Sequence, residues 1–337
     1  MDSLLKAKLA LSAVLTSTLL LSACGGSSSV GGGESSDETL IKDVDTSLFA
    51  ISSLESLETV ECTLSNGETS TCYEITIKGF PADRDEVGPY CPETISTTAE
   101  NSGKWFDNGI LHDADGEFIS NLATFYNDDN WQLFDANTDE VYVTDTQAKC
   151  EAAAVVDVAE EYNNYCVECD INYYSEVEGE GLHSTVLIPT TPILSSEASD
   201  IGAGGVGVAF NGVVLDAAAP AEVILEAYTI AAFDDCVGHV NPFAGYHYHG
   251  ANHGDGSCPG VDFESDGHAG AFGYALDGFA VYSMLDENGE EEDDLDECRG
   301  HSDDTRGYHY HTAGPGENSF IGCFTGVIVQ EDERPRP

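Results

Sequence analysis

The chain has 337 residues and a formal net charge of −51, which arises from 62 acidic and only 11 basic residues. This charge would repel nucleic-acid phosphates and therefore argues against nucleic acid as a partner. Methionine is almost absent, and Met284 is the one example after Met1, so a thioether-rich copper(I) site is disfavoured.

Residues 1–24 are typical of a bacterial lipoprotein signal peptide. Lys6 and Lys8 precede an apolar run over residues 9–21, and small residues then lead to Cys24. A run this short does not span a bilayer as a mature helix, whereas the small residues suit cleavage with lipid attached to the cysteine sulfur. We therefore predict a cell-envelope protein whose membrane contact is the lipid on Cys24. In a Gram-negative cell the lack of a following aspartate favours the outer membrane; an ordinary secretory signal is the alternative.

A flexible tether and a cysteine-rich body are predicted to follow. Residues 25–39 are rich in glycine and serine and then turn acidic, as expected of a linker before a body that begins at Leu40. Ten of the 11 cysteines remain in that body, which allows up to five disulfides in an oxidising compartment. Cys166 and Cys169 have the spacing of half a zinc ribbon, but no second Cys-x-x-Cys pair exists and disulfide bonding is favoured. The candidate disulfide cysteines are Cys62, Cys72, Cys91, Cys150, Cys166, Cys169, Cys236, Cys258, Cys298 and Cys323.

Residues 40–200 are predicted to form a mixed region without a recognisable catalytic motif. The pattern indicates a strand over Tyr73–Ile77 and a helix over Glu151–Tyr162. Cys62 and Cys72 flank an Asn-Gly pair and predict a hairpin closed by a disulfide. Symmetric pairing would centre on the glycine, so an odd-length loop or a bulge is required.

Residues 201–326 are predicted to contain one structural unit written twice, followed by a tail over residues 327–337. Each copy begins with a tight hairpin, over Val206–Leu215 in the first and Tyr274–Tyr282 in the second. Each hairpin precedes two acidic residues, a Cys-x-Gly-His segment and a Tyr-His-Tyr-His strand, and these recur 62 positions later. The sequence thus predicts a β-rich, mixed α+β fold of duplicated hairpin and histidine-strand units, which disulfides stabilise.

Disulfide pairing within the duplicated unit has more than one solution. The simplest pairings join Cys236 to Cys258 and Cys298 to Cys323, which would close each copy separately. A cross-pairing of Cys236 with Cys298 would instead tie the copies together, and the sequence leaves it open.

Histidine is concentrated in the duplicated unit, because eight of the ten histidines lie between His239 and His311. Successive side chains of a strand point to opposite faces, so the two histidines of each Tyr-His-Tyr-His strand share one face and the tyrosines pack on the other. Three neutral imidazoles suit a divalent metal, zinc or copper(II), and either two sets of three or one shared or binuclear site fits the pattern. The candidate ligands are His239, His247, His249, His301, His309 and His311, and Asp235 and Glu297 are candidates for a base or for carboxylates that orient the histidines.

The two Tyr-His-Tyr-His strands resemble the bacterial and archaeal YHYH domain family, which is named after this tetrapeptide and consists mainly of secreted or lipid-anchored proteins. The resemblance extends to Gly207–Val213 and Gly273–Phe279, and it is strongest over residues 201–326. The chain departs from the expected pattern at Ala280 and Ser283, in place of a proline and a glycine, which bears on the local turn only. The resemblance implies a shared architecture and compartment, and the family has no assigned activity.

Three functions are compatible with these residues. The leading one is a lipid-anchored extracytoplasmic protein that binds a divalent metal through the duplicated histidines. The second is a metal-dependent hydrolase or oxidoreductase of unknown substrate, which needs an open coordination position beside a pocket. The third is a structural or adhesive disulfide-rich module in which the histidines only pack and cap. If imidazole nitrogens from the two strands converge, the metal-site hypothesis is favoured. If they diverge to separate surfaces, that hypothesis is weakened.

Overall fold

The computed structural model describes residues 40–175, 177, 179–202, 205–253, 258, 260–330 and 333. The predicted signal peptide, Cys24 and the tether lie outside these residues. None of the described helices has the length and apolar character needed to cross a membrane.

Strands outnumber helices throughout the described chain, and the predicted β-rich α+β class is confirmed. Before residue 200 the elements are β1 (Leu54–Thr63), β2 (Thr69–Ile77), β3 (Lys104–Asp107), β4 (Ile110–Asp113), α1 (Gly116–Phe125), α2 (Gln147–Ala153), β5 (Cys166–Val167), β6 (Ser184–Pro189) and β7 (Leu194–Ser199). After it they are β8 (Gly207–Ala209), β9 (Val214–Leu215), α3 (Ala221–Glu226), β10 (Ile230–Ala231), β11 (Gly238–Asn241), β12 (Gly245–Tyr248), β13 (Ala271–Ala275), β14 (Ala280–Tyr282), β15 (Gly300–Asp303), β16 (Gly307–His311) and β17 (Phe324–Gly326). Short 3₁₀ helices cover Thr46–Leu48, Ile51–Ser53, Ala99–Asn101, Glu160–Tyr162 and Ile171–Tyr173.

The first hairpin has the predicted strand, loop and disulfide. β2 includes the predicted strand and pairs with β1 on one side and β6 on the other. Thr63 pairs with Thr69, so the loop between them has the odd length that the cysteine spacing requires. Cys62 and Cys72 form the disulfide across this hairpin.

The predicted helix over Glu151–Tyr162 is wrong in extent. α2 begins earlier, at a Thr146 cap whose side chain accepts a hydrogen bond from the Lys149 amide, and it ends at Ala153. The following Val-Val-Asp-Val segment contains β-branched side chains that lose rotamer freedom in a helix. The position of α2 is also fixed by a tertiary contact, because its Cys150 forms a disulfide with Cys169.

An eight-stranded sheet carries the duplicated unit, with the strand order β11-β12-β9-β8-β13-β14-β16-β15. In each half a hairpin, β8–β9 or β13–β14, contributes its second strand to a parallel pairing with the Tyr-His-Tyr-His strand, β12 or β16. That strand then pairs antiparallel with the Cys-x-Gly-His strand at the sheet edge, β11 or β15. The two predicted hairpins are thus confirmed, and the halves are arranged in mirror-image order along one sheet.

The halves meet at an antiparallel pair of strands with twofold character. Val208 of β8 lies opposite Tyr274 of β13, and Gly207 and Ala209 lie opposite Ala275 and Gly273. Gly273-Tyr274-Ala275 occupies the place in its hairpin that Gly207-Val208-Ala209 occupies in the first. Each strand therefore presents the same edge to the other.

The turn before each Cys-x-Gly-His strand is fixed by an aspartate carboxylate, which is buried in the first copy and exposed in the second. One oxygen of Asp234 accepts hydrogen bonds from the amides of Cys236 and Gly238, both at 3.0 Å, while the other accepts from the Tyr246 hydroxyl at 2.7 Å. Asp296 makes the equivalent three contacts in the second half. The aspartate turn therefore links the cysteine, the edge strand and the first tyrosine of the motif.

The disulfides close each half separately. Cys236 pairs with Cys258 and Cys298 pairs with Cys323, which are the simplest pairings, and the cross-pairing between halves does not form. The remaining bridges join Cys91 to Cys166 and Cys150 to Cys169, so the Cys-x-x-Cys cysteines are oxidised with different partners. No body cysteine is left as a thiolate ligand.

The motif tyrosines pack against the interior, as predicted, and this explains the glycine of Cys-x-Gly-His. Tyr246 crosses over Gly238 so closely that a Cβ on the glycine would lie 2.3 Å from the tyrosine oxygen. We expect Gly238→Ala to lower the free energy of unfolding by about 1–3 kcal/mol through overpacking. Urea denaturation with the disulfides intact measures this. Gly202→Ala, whose Cβ would meet nothing within 4 Å, is the control, and equal losses in the two variants would contradict the explanation.

Candidate metal centres

The first cluster consists of His239, His247 and His249. His239 of β11 lies directly opposite His247 of β12, and His249 follows two positions later on the same face. The three Nε2 atoms form a nearly equilateral triangle with sides of 3.0, 3.1 and 3.2 Å. Nitrogens bound to one tetrahedral zinc ion at 2.0–2.1 Å lie about 3.3 Å apart, so the triangle has close to the size that a shared ion requires.

The tautomers of this cluster place protons on Nδ1, so too few protons remain on the three Nε2 atoms for hydrogen bonds among them. The Nδ1 atom of His247 lies 2.9 Å from the Gly245 carbonyl oxygen, and that of His249 lies 2.6 Å from the Ala217 carbonyl oxygen. Each Nδ1 therefore donates a proton, and the matching Nε2 presents a lone pair. A proton on Nε2 of His239 could bond only one of the other two nitrogens, and the one further donor is the Asn241 amide, which lies 3.4 Å from Nε2 of His247. A bound cation would satisfy all three lone pairs at once.

Burial keeps these imidazoles neutral. It lowers the pKa of His239 and of His249 well below the usual range, with the neighbouring imidazoles adding to the effect. The pKa of His247 is also lowered by burial, and the nearby Asp216 carboxylate opposes the shift. Neutral imidazole is the form that binds metal, so the cluster is competent at neutral pH.

An apolar cavity of about 350 Å³ borders the first cluster. All three histidines line it, together with Asp216, whose carboxylate oxygen lies 3.8 Å from Nε2 of His247. The apolar wall includes Ala153, Val155, Val167, Ala218, Val223 and Ile224. A metal held by three imidazoles would therefore face a space that could admit a small molecule, with a carboxylate at its edge.

The second cluster consists of His268, His301, His309 and His311. Nε2 of His309 lies 3.0 Å from that of His301 and 3.2 Å from that of His268. One nitrogen from each of the four residues falls within 4.8 Å of the others. The Nε2 atom of His311 is buried and has no hydrogen-bond partner, which is costly for a polar group unless an ion is present.

Every histidine of the second cluster uses its Nδ1 atom to bond an oxygen. The Nδ1 atoms of His268, His309 and His311 bond the carbonyl oxygens of Ala269, Gly307 and Ser283 at 2.8–2.9 Å. The Nδ1 atom of His301 bonds the Asp294 carboxylate at 2.8 Å. Each Nδ1 therefore carries a proton and each Nε2 keeps a lone pair, so the four rings can supply the ligands of a four-imidazole site.

The two clusters are separate sites. Strands β12 and β16 have β9, β8, β13 and β14 between them, which places them roughly 24 Å apart at about 4.8 Å per strand. Nitrogens of the two Tyr-His-Tyr-His strands do not converge, so the shared or binuclear alternative is wrong. Convergence occurs within each copy instead, as in the alternative of two separate sets.

The carboxylates near the clusters differ from the predicted ones. Asp235 lies 3.2 Å from Lys104 Nζ rather than against a histidine, and Glu297 is exposed, with no contact to a cluster among the described residues. Each of them directly precedes the cysteine of its turn. The aspartate one position earlier, Asp234 or Asp296, accepts the hydrogen bonds of the turn instead. Among the described residues, the carboxylates that approach the cluster histidines are Asp216, Asp294 and Glu292.

Sequence reasoning also missed His268. It has no counterpart at the matching position of the first copy, and repeat spacing therefore does not select it. The concentration of histidines between His239 and His311 was the available signal, because it includes His268 and His253 in addition to the repeated six. Nothing in the sequence distinguished Asp216 and Asp294 from the other acidic residues, of which the chain has 62 in total.

In the metal-free protein we expect the free energy of unfolding to fall as the pH drops from about 6.5 to about 4. Burial lowers the pKa of His309 to about 4 and that of His311 to about 3. The unfolded chain therefore takes up protons in this range before the folded chain does, and each one favours unfolding. Urea unfolding in chelator across this range measures the slope. A His309→Ala, His311→Ala double variant should show a shallower slope, and an unchanged one would contradict the prediction.

Comparison with known proteins gives one finding. Residues 185–293 match the family model described as YHYH protein, which confirms the resemblance over that segment. The matched segment includes the first Tyr-His-Tyr-His strand and ends before the second. No curated protein and no solved structure matches the chain.

Proposed function

We propose that this member of the YHYH family is an extracytoplasmic protein that binds one divalent metal ion in each of its two histidine clusters. The observation that carries the proposal is the convergence of imidazole nitrogens, three in the first cluster and four in the second. Histidines that only packed or capped would have no reason to aim unprotonated nitrogens at one point, since their lone pairs repel.

Zinc or copper(II) is the proposed ion. Both bind imidazole strongly, while magnesium and calcium prefer oxygen ligands. Thiolates are absent from the clusters because the body cysteines are in disulfides, and the sequence has a single methionine after Met1. A borderline divalent ion therefore fits the donor set better than copper(I) does.

Metal analysis tests the proposal directly. The full chain, purified without a histidine tag, is stripped with chelator, incubated with excess zinc or copper(II), desalted and assayed for metal. We expect two equivalents per chain. A double variant, His112→Ala with His183→Ala, removes histidines outside the clusters and should still bind two. Substoichiometric metal in the unmodified chain would favour the structural or adhesive module instead.

A metal-dependent enzyme is the second candidate, and the cavity beside the first cluster favours it. Three protein ligands leave a fourth position open, and a metal there lowers the pKa of a bound water molecule. Asp216 lies close enough to accept a proton from such a water or to orient it. Cobalt(II) in the first site should change its visible spectrum when azide or a hydroxamate is added. An unchanged spectrum would mean that the metal has no open coordination position, which would contradict the proposal of a metal-dependent enzyme.

We also propose that lipid on Cys24 anchors the protein in the cell envelope, at the outer membrane of a Gram-negative cell. The support is the signal-peptide pattern and the five disulfides, which are typical of oxidising compartments. A Cys24→Ser variant should lose labelling by a radioactive fatty acid and leave the membrane fraction. Membrane retention without label would contradict lipid anchoring.

A further inference from the structure

We infer that the two copies have diverged in role, and that the second cluster holds its metal as a closed structural site with His268 as the fourth ligand. This inference rests on the proposed metal binding and adds a division of labour to it. The first cluster offers three nitrogens and borders a cavity, whereas the second offers four nitrogens, the number of ligands in a structural zinc site.

The segment that supplies His268 is held in place independently of any metal. The Glu264 amide donates to the His268 carbonyl oxygen at 2.9 Å, and the His268 amide donates to the Asp266 side chain at 3.2 Å. Both carboxylate oxygens of Asp266 accept hydrogen bonds from Arg306 at 2.6 Å. Because Arg306 lies in the β15–β16 turn, the ion pair aligns the connection with the two strands that carry the other ligands.

The surroundings of the second cluster also differ from those of the first. The ring of Tyr282 lies 4.7 Å from the ring of His309 and 5.0 Å from that of His268, so an aromatic side chain covers this side. The position matching Tyr282 in the first hairpin is Asp216, which lines the cavity. At this matched position one copy thus has a carboxylate that lines a cavity and the other has an aromatic ring, while the cavity near the second cluster is lined on a different side by His268 and Glu292.

A metal in the second cluster would join three separated parts of the chain. His268 belongs to the connection between the halves, His301 to the edge strand β15, and His309 and His311 to β16. A cross-link of this kind restricts the unfolded chain and adds the binding free energy of the ion to the stability of the fold. Metal at the first cluster joins only neighbouring strands, β11 and the end of β12, so its effect on stability should be smaller.

The test compares metal affinity and melting temperature in the full, untagged chain. We expect His268→Gln to weaken zinc binding by about 100-fold or more at one of two sites, since the loss of an outer partner alone costs 10–100-fold. Zinc should raise the melting temperature of the unmodified chain by about 5–10 °C, and His268→Gln should lose most of that rise. His247→Ala, which removes a first-cluster ligand, should keep most of it.

The outcomes separate the inference from the proposal beneath it. No zinc in either cluster would overturn the proposed function itself. Two equivalents of zinc with His268→Gln unchanged in affinity and in zinc-dependent melting would overturn the structural role alone. His268→Gln could also lower the melting temperature of the metal-free protein. The comparison therefore uses the rise in melting temperature from chelator to zinc within each variant, because this difference cancels any effect on the metal-free fold.

Discussion

Replacing His249 with alanine should empty the first cluster of metal, whereas replacing His311, its counterpart in the second copy, should leave a metal in place. His249→Ala leaves two imidazoles for the ion, and we expect an affinity loss well beyond about 100-fold. His311→Ala leaves three imidazoles, those of His268, His301 and His309. Its site should bind more weakly and gain an open coordination position.

Metal stoichiometry after desalting and the cobalt(II) spectrum measure the two effects. His249→Ala should retain one equivalent and lose the azide-sensitive band of the first site. His311→Ala should retain up to two equivalents and acquire a second azide-sensitive band. His183→Ala, an exposed histidine paired with Glu180, serves as the control. Identical behaviour of the two cluster variants would show that His268 does not act as a ligand.

Removal of the buried Asp234 carboxylate should be the most destabilising single substitution in the duplicated unit. Asp234 is fully buried and accepts hydrogen bonds from Arg84, Tyr246 and two turn amides. Alanine there would leave the guanidinium of Arg84 without its partner in a mostly buried position. Breaking a buried ion pair in this way costs about 3–5 kcal/mol of unfolding free energy.

Asp296 provides a matched control for that substitution within the same chain. It makes the same turn contacts and bonds the Tyr308 hydroxyl at 2.8 Å, but no arginine among the described residues pairs with it. Asp296 is exposed, so water can replace part of the lost contacts, and we expect Asp296→Ala to cost about 0.5–1.5 kcal/mol. Urea unfolding in chelator, with the disulfides intact, gives both values. Equal losses would mean that Arg84 contributes nothing beyond the turn.

Features encoded by neighbouring residues were predictable from the sequence. The hairpins followed from alternating patterns around Asn-Gly and Asp-Gly, and the Cys236–Cys258 and Cys298–Cys323 bridges followed from proximity along the chain. The common face of His247 and His249 followed from strand periodicity alone. These inferences need only local geometry, which the sequence carries.

Features that depend on strand order or on distant segments were not predictable. The choice between one shared site and two sites rests on the four strands that separate β12 from β16. His268 reaches its cluster through a connection whose path is set by the Asp266–Arg306 ion pair. The helix over Glu151–Tyr162 failed for a local reason instead, because the valine-rich segment after Ala153 disfavours a helix. The strand order and the position of His268, in contrast, depend on long-range contacts.

The twofold pairing of β8 with β13 bears on how the halves would behave apart. If the two halves were separated, β8 or β13 would become an unpaired edge strand. Because the two strands are equivalent, two copies of one half could pair through this edge as a symmetric dimer. Cleavage of the backbone in the connection between β12 and β13 should leave two fragments that stay associated through this edge and through the pairing of β7 with β17. Size-exclusion chromatography of such a nicked chain would show a single species, and the present fold is then equivalent to a covalently joined dimer of halves.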